Sequence, residues 1–166
     1  KGEQVLCHKH HTVLINRRRS QVLKGDAGFD YVESRLVETA AGIRFGLAVK
    51  PGTDAGTQVA VVTAGASIEG VTVHQHVEKD YLTGTALYKQ YEVAGIMRRG
   101  LIWMRVSGTA PVVNAPVYAM VDTALDAGFA TGLAGTNNIL IPTAVCKKLS
   151  TDPDGSAIAL VEINIP

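Results

Sequence analysis

From Tyr31 onward the chain is a succession of short apolar runs punctuated by Gly, Pro, Thr and Asp, the pattern of strands joined by turns. Tyr31 to Glu38 and Ile43 to Lys50 read as strands, linked by Thr39-Ala40-Ala41-Gly42 and closed by Pro51-Gly52. Gln58 to Thr63 and Ile68 to Val77 follow, divided at Ala64-Gly65-Ala66. Within the latter, alternation sets Val71, Val73 and Gln75 on one face and Thr72, His74 and His76 on the other. Asp80 to Gln90 reads as irregular. Tyr91 to Arg98 and Leu101 to Val106 suggest a hairpin with a tight turn at Arg99-Gly100. Pro116 to Val121 is a further strand, and Thr123 to Asn138, rich in Ala, Gly and Thr, a turn-rich excursion. Thr143 to Leu149 and Ala157 to Ile163 close the sheet through Asp152-Pro153-Asp154-Gly155. Nothing alternates strand with helix as a parallel α/β fold requires, and there is no internal repeat. The pattern predicts an all-β chain folded as a single β-sandwich or barrel.

The first 24 residues are of another kind. They carry one short apolar run, Val13-Leu14-Ile15, with a strand expected near Thr12 to Asn16, and no Gly between Gly2 and Gly25. Six basic residues, Lys1, Lys9, Arg17, Arg18, Arg19 and Lys24, face a single acid, Glu3. The whole chain has a formal charge of +1, so a basic arm is joined to a mildly acidic body. The expected division is an extended arm over residues 1–24 and a β-domain over 25–166. Such an arm seeks an acidic surface on another protein or another copy of the chain.

Composition narrows the core. The 166 residues fit one domain, able to bury roughly two thirds of its unfolded surface. Aromatics make up only 5%, so the core has to come from Val, Ile, Leu and Ala, and 17 glycines supply the turns.

Candidate chemistry is sparse. Cys7-His8-Lys9-His10-His11 is the most suggestive metal signal, and His74 with His76 would stand roughly 7 Å apart on one strand face. A structural zinc site draws on two separated ligand pairs, however, and Cys146 is the one other cysteine. Solvated or interface histidines are the plainer account. Asp122 and Asp126, like Asp152 and Asp154, sit at turns, where Asp serves local backbone hydrogen bonding. The serines lack a GxSxG elbow, and there is neither GxGxxG nor a P-loop. No catalytic, cofactor or metal residue is therefore assigned. Cys7 and Cys146 read as ordinary thiols of a chain made in a reducing cytosol. No signal peptide or bilayer-spanning run is expected. The run Arg17-Arg18-Arg19 has no aromatic before Phe29 to stack on bases, so nucleic acid ranks behind solvent and an acidic protein.

Several stretches carry a resemblance. They are Ala27-Gly28-Phe29-Asp30-Tyr31-Val32-Glu33-Ser34-Arg35, Ile43-Arg44-Phe45-Gly46-Leu47-Ala48-Val49, Met97-Arg98-Arg99-Gly100-Leu101-Ile102-Trp103-Met104-Arg105-Val106, Ala115-Pro116-Val117-Tyr118 and Ala157-Ile158-Ala159-Leu160-Val161-Glu162-Ile163-Asn164. In this order the chain, over roughly residues 25–166, resembles the phage capsid structural cement proteins, also called decoration or auxiliary capsid proteins. It departs from them before Pro116, where Val112-Val113-Asn114-Ala115 replaces a more usual Ala-Gly-Asp type of turn. The resemblance implies a β-sandwich or barrel-like domain of jelly-roll or β-tulip type, with no enzymatic activity or cofactor. It implies binding to the exterior of an assembled capsid in the virion, bridging neighbouring copies of the major capsid protein, after synthesis in the host cytoplasm. Self-association as a dimer or trimer would present equivalent arms to several subunits. The expected contacts are Val13, Leu14, Ile15, Arg17, Arg18 and Arg19, with neither nucleic acid nor membrane as partner. The alternative is a carbohydrate- or cell-surface-binding β-domain of a spike or fibre. That role would need exposed aromatics, and Trp103 lies mid-strand, where burial is expected. A small β-barrel enzyme ranks third.

Overall fold

The computed structural model describes residues 30–74, 87–121, 127–153 and 155–166, and among them there is no helix. Eleven strands follow in order: β1 (Tyr31–Val37), β2 (Ile43–Arg44), β3 (Ala48–Pro51), β4 (Gln58–Val61), β5 (Gly70–Thr72), β6 (Leu87–Tyr88), β7 (Val93–Arg105), β8 (Pro116–Met120), β9 (Ala130–Thr131), β10 (Asn138–Thr151) and β11 (Ala157–Asn164). Nine form one sheet in the order β1-β4-β3-β5-β7-β11-β10-β8-β9, and β2 pairs with β6. Because β1 also pairs with β7, the first five strands of that order close into a ring. At the far end of β7, Val106 bridges Ala130, and the Ser107 N–H donates to the Ala130 carbonyl at 3.1 Å. A second circuit, β7-β11-β10-β8-β9, is tied shut there. The body is thus two barrel-like halves sharing one long strand, and closure protects edges that an open sheet would expose.

The 13-residue β7 serves both halves, contrary to the hairpin expected at Arg99-Gly100. Val32 faces Met97 but Tyr31 faces Arg99, so Arg98 is an extra residue opposite β1. This β-bulge, and not a turn, is what the Arg-Arg-Gly sequence encodes. A bulge bends and twists its strand. Before it, β7 runs between β1 and β5; after it, Arg99 to Arg105 pairs with Asn164 to Ile158 of β11. Hairpins form elsewhere, at β3–β4 and at β10–β11, the latter around the expected Asp152 turn, where Asp152 N–H donates to Ser156 O at 2.8 Å.

Register places Val37, Val49, Val59, Thr72 and Ile96 on the inner face of the first ring, all of them buried. Thr72 is tolerated there because its hydroxyl donates to Arg44 O at 2.8 Å and accepts from Leu47 N–H at 3.0 Å. Those bonds dock a turn at Phe45-Gly46-Leu47, which splits the strand expected over Ile43 to Lys50 into β2 and β3. Val71 and Thr72 face opposite sides of β5, as alternation predicts, but both faces are covered, so Val71, Thr72 and the following Val73 are all buried. Tyr88, fully buried, links the residue after β5 to β7. Its hydroxyl donates to Val73 O at 2.6 Å and accepts from Gly95 N–H at 3.3 Å, and its ring meets Phe45 edge-on at 4.9 Å. Tyr88→Phe should cost about 1–3 kcal/mol in urea unfolding by leaving two buried backbone groups unsatisfied. An unchanged midpoint would show that the hydroxyl contributes nothing.

Candidate docking surfaces

Four charged side chains gather at one end of the first ring. Glu33 and Arg35 share the inner face of β1 with Val37, Arg98 comes from the bulge, and Glu69 precedes β5. Arg35 pairs with Glu33 and reaches Glu69 at 3.5 Å, while Arg98 lies 3.6 Å from Glu33 and 3.7 Å from Glu69. The side chains are only 15–22% exposed, so the group seals the ring with alternating charge. Arg98 also donates to the Pro166 carbonyl, fastening the last residues of the chain to the same end.

Hydrogen bonding from Tyr31, and then the Arg35 and Arg98 charges, hold the Glu33 carboxyl below the usual range against the opposing effect of burial. Glu38 is likewise lowered, by the Thr53 hydroxyl at 2.5 Å and the Thr53 N–H at 2.8 Å. Both carboxyls bind protons less readily in the folded chain than in the unfolded one. Their contribution is therefore complete above the ordinary carboxylate value of about 4.5 and is lost as pH falls through the lowered values. Urea midpoints should be level from pH 7 to 5 and drop below about pH 4.5, less steeply in Glu33→Gln. A midpoint that rises on acidification would contradict this assignment.

Outside that seal, exposed large apolar side chains fall into two groups. One lies on β1, β7 and the turn before β7: Val32, Leu36, Tyr91 and Val93, with Leu36 directly opposite Val93 and Tyr91 68% exposed, while Tyr31, also exposed, stands on the Glu33 side of β1. The other belongs to the second half: Val112, Val113, Leu133, and Leu140 and Leu149 of β10. Val112, 70% exposed, opens the turn closed by Ala115 N–H to Val112 O at 3.0 Å, with Asn114 at φ +65°. Gly132 packs so closely on Pro111 that a Cβ there would stand 2.8 Å from the Pro111 Cα. Val112 and Leu133 follow Pro111 and Gly132 in sequence, and both are exposed. Scattered apolar residues are normal on a surface, but grouped ones mark sites of association.

The residues singled out in the sequence fare unevenly. Val13, Leu14, Ile15, Arg17, Arg18 and Arg19 lie outside the described residues, as do Cys7, the three arm histidines, His76, Asp122, Asp126 and Asp154. His74 sits edge-on to Phe45 at 4.7 Å, and no group of three potential metal ligands occurs among the described residues. Cys146 is a buried free thiol that burial pushes up. Asp152 is engaged at the β10–β11 turn, where its carbonyl accepts from Gly155 N–H at 2.8 Å. Trp103 is partly buried against the core. The Val112–Val113 turn stood out beforehand only as a departure from the family pattern; Tyr91, Val93 and Leu133 did not stand out at all.

A family model described as "Structural cement protein (E217 gp24/Pam3 gp6)" matches residues 21–165. The chain belongs to this phage structural cement family. The cement protein's fold is also similar to that of a chain in a solved structure, "The capsid of Myoviridae Phage XM1". That likeness has a TM-score of 0.69 and 23% identity, over 91% of this chain and 95% of the other. No curated protein sequence matches it. The all-β, barrel-like single domain is the one expected from sequence, and a structural role in the phage capsid follows from the family.

Proposed function

We propose that this cement protein binds the outer surface of the assembled, expanded capsid and bridges neighbouring major capsid subunits, acting without catalysis as a dimer or trimer. The observation that carries this reading is the division of its exposed apolar residues between two halves joined by one continuous strand. A closed body with an adhesive group on each half can engage two neighbours at once. A ligand that binds the assembled lattice better than free subunits shifts the equilibrium toward the shell. Modest contacts repeated over the lattice gain by multivalency.

The basic arm adds a third contact. Arg17, Arg18 and Arg19 meet acidic capsid side chains while Val13, Leu14 and Ile15 supply apolar anchorage. Exposed charge pairs contribute only about 0–1 kcal/mol each, so the apolar residues are needed. Removing residues 1–24 should leave the urea midpoint of the body unchanged and lower capsid affinity at least ~100-fold. Full affinity in the truncated protein would remove the arm from the binding scheme.

A further inference from the structure

Closure of the two halves leaves the end of β10 with an open edge. β8 accompanies β10 only as far as Pro116 opposite Val145. The turn before β8 covers one residue more: Cys146 N–H donates to Ala115 O at 3.1 Å, and Cys146 O accepts from Asn114 N–H at 2.7 Å. Beyond that point Lys147 to Thr151 are all exposed, and among the described residues only β11 pairs with them. Two hydrogen bonds at the hairpin end fix where their backbone groups point. Asp152 N–H turns inward to Ser156 O at 2.8 Å, and Ala157 O accepts from Val106 N–H at 3.0 Å on the β7 side. Thr151, opposite Ala157, therefore does not bond across the hairpin. Backbone groups alternate sides along a strand, so Leu149 and Thr151 aim both N–H and C=O at the open edge, as Cys146 does on the far side of the bulge at Lys147.

We propose that this edge pairs with the same edge of a second copy, antiparallel, across a two-fold axis at Ser150. The inference rests on the reading of a self-associating cement protein and assigns the contact of its dimer. The open stretch ends at Cys146, where Asn114 and Ala115 occupy the edge, and at Pro153, which has no N–H to give. Ser150 is the middle of the Lys148 to Asp152 segment left between them. With the axis there, Leu149 of each copy faces Thr151 of the other, and every outward N–H and C=O of the two residues is satisfied. Lys148 falls opposite Asp152, an opposite-charge cross-strand pair. Other registers lose these gains. An axis at Leu149 sets Thr151 against the bulged Lys147, one at Lys148 sets lysine against lysine, and one at Thr151 sets Leu149 against Pro153. The lysines that guard the edge against arbitrary strands thus also select its self-pairing register. Such a dimer runs β7-β11-β10 of one copy into β10-β11-β7 of the other and presents two basic arms and two of each apolar group to the shell.

Single cysteines in a full-length Cys7→Ser chain, with buried Cys146 left in place, test the register. Across the axis the two Ser150 Cα atoms form a non-hydrogen-bonded pair about 4.5 Å apart, within disulfide reach. Under mild oxidation Ser150→Cys should form a covalent dimer at least ~10-fold faster than Leu149→Cys or Thr151→Cys, whose own counterparts lie two positions along the other strand. In the unmodified chain, hydrogen exchange at the Leu149 and Thr151 amides should slow roughly 10-fold or more as protein concentration rises. Thr151→Pro removes an edge donor, keeps the bonds to β11 and should sediment as a monomer throughout. Equal crosslinking of the three cysteine variants would overturn the proposal. So would exchange at both amides that is independent of concentration, whether fast or slow. No capsid enters these measurements, so a dimer that fails to bind capsids contradicts the bridging role alone, and capsid binding without this dimer contradicts the Ser150 contact alone.

Discussion

Gly128→Ala is expected to cost the fold about 2–5 kcal/mol, while Gly65→Ala costs about 1–2 kcal/mol, although both glycines have similar positive φ. Gly128 stands at φ +89° and Gly65 at φ +73°, so each substitution carries the left-handed penalty of an L-residue. The surroundings differ. Nothing lies within 4 Å of a Cβ at Gly65, whereas at Gly128 it would stand 2.4 Å from the Ala48 carbonyl oxygen and 3.2 Å from the Ala48 nitrogen. Those are backbone atoms and cannot swing aside. Gly128 also joins the halves: its N–H donates to Met120 O in β8, and its carbonyl accepts from Ala48 N–H in β3, both at 2.8 Å. Relieving the overlap separates the first ring from the second circuit. Against a total of roughly 5–15 kcal/mol this is a large fraction, and the urea midpoint should fall by on the order of 1–2 M. Equal midpoints for the two variants would mean that the close contact of Gly128 with β3 carries no weight.

The second large effect concerns bridging. Val112→Asp with Leu133→Asp blocks one apolar group, and Leu36→Asp with Val93→Asp blocks the other. Because these side chains are exposed, stability should change by no more than about 0.5 kcal/mol per site. Each pair should lower apparent capsid affinity by roughly 100-fold or more, because losing one of two linked contacts removes the multivalent gain. Either pair alone should leave weak residual binding, and the four substitutions together should abolish what the body contributes. If one pair eliminated binding and the other had no effect, the two halves would not be engaging two neighbours.

Local pattern located β1, β4, β8 and β11 because their runs are bounded by turn residues and their partners need not be known. It failed where long-range geometry decides. Arg99-Gly100 looks like a hairpin turn, yet β1 and β11 on opposite edges keep the strand continuous through a bulge. Ile43 to Lys50 is apolar enough for one strand, but Thr72, remote in sequence, holds Phe45-Gly46-Leu47 as a turn. The start of β10 at Asn138 sits at the end of a tract whose Ala, Gly and Thr content reads as loop, and only pairing with β8 makes it a strand. The charged seal was not legible either, since Glu33, Glu69 and Arg98 come together through closure of the first ring. Family membership was legible because the ordered set of strands survives these local misreadings.

Bridging of the assembled shell is tested most directly by co-sedimentation of the purified full-length protein with expanded, undecorated phage capsids, over a range of protein concentrations and at low and moderate salt. The expected result is saturable binding at a fixed ratio to major capsid subunits. Affinity should fall as salt rises, because the basic arm is screened. Failure to sediment with the capsids at any concentration, by a protein shown to be folded, would contradict a capsid-bridging role.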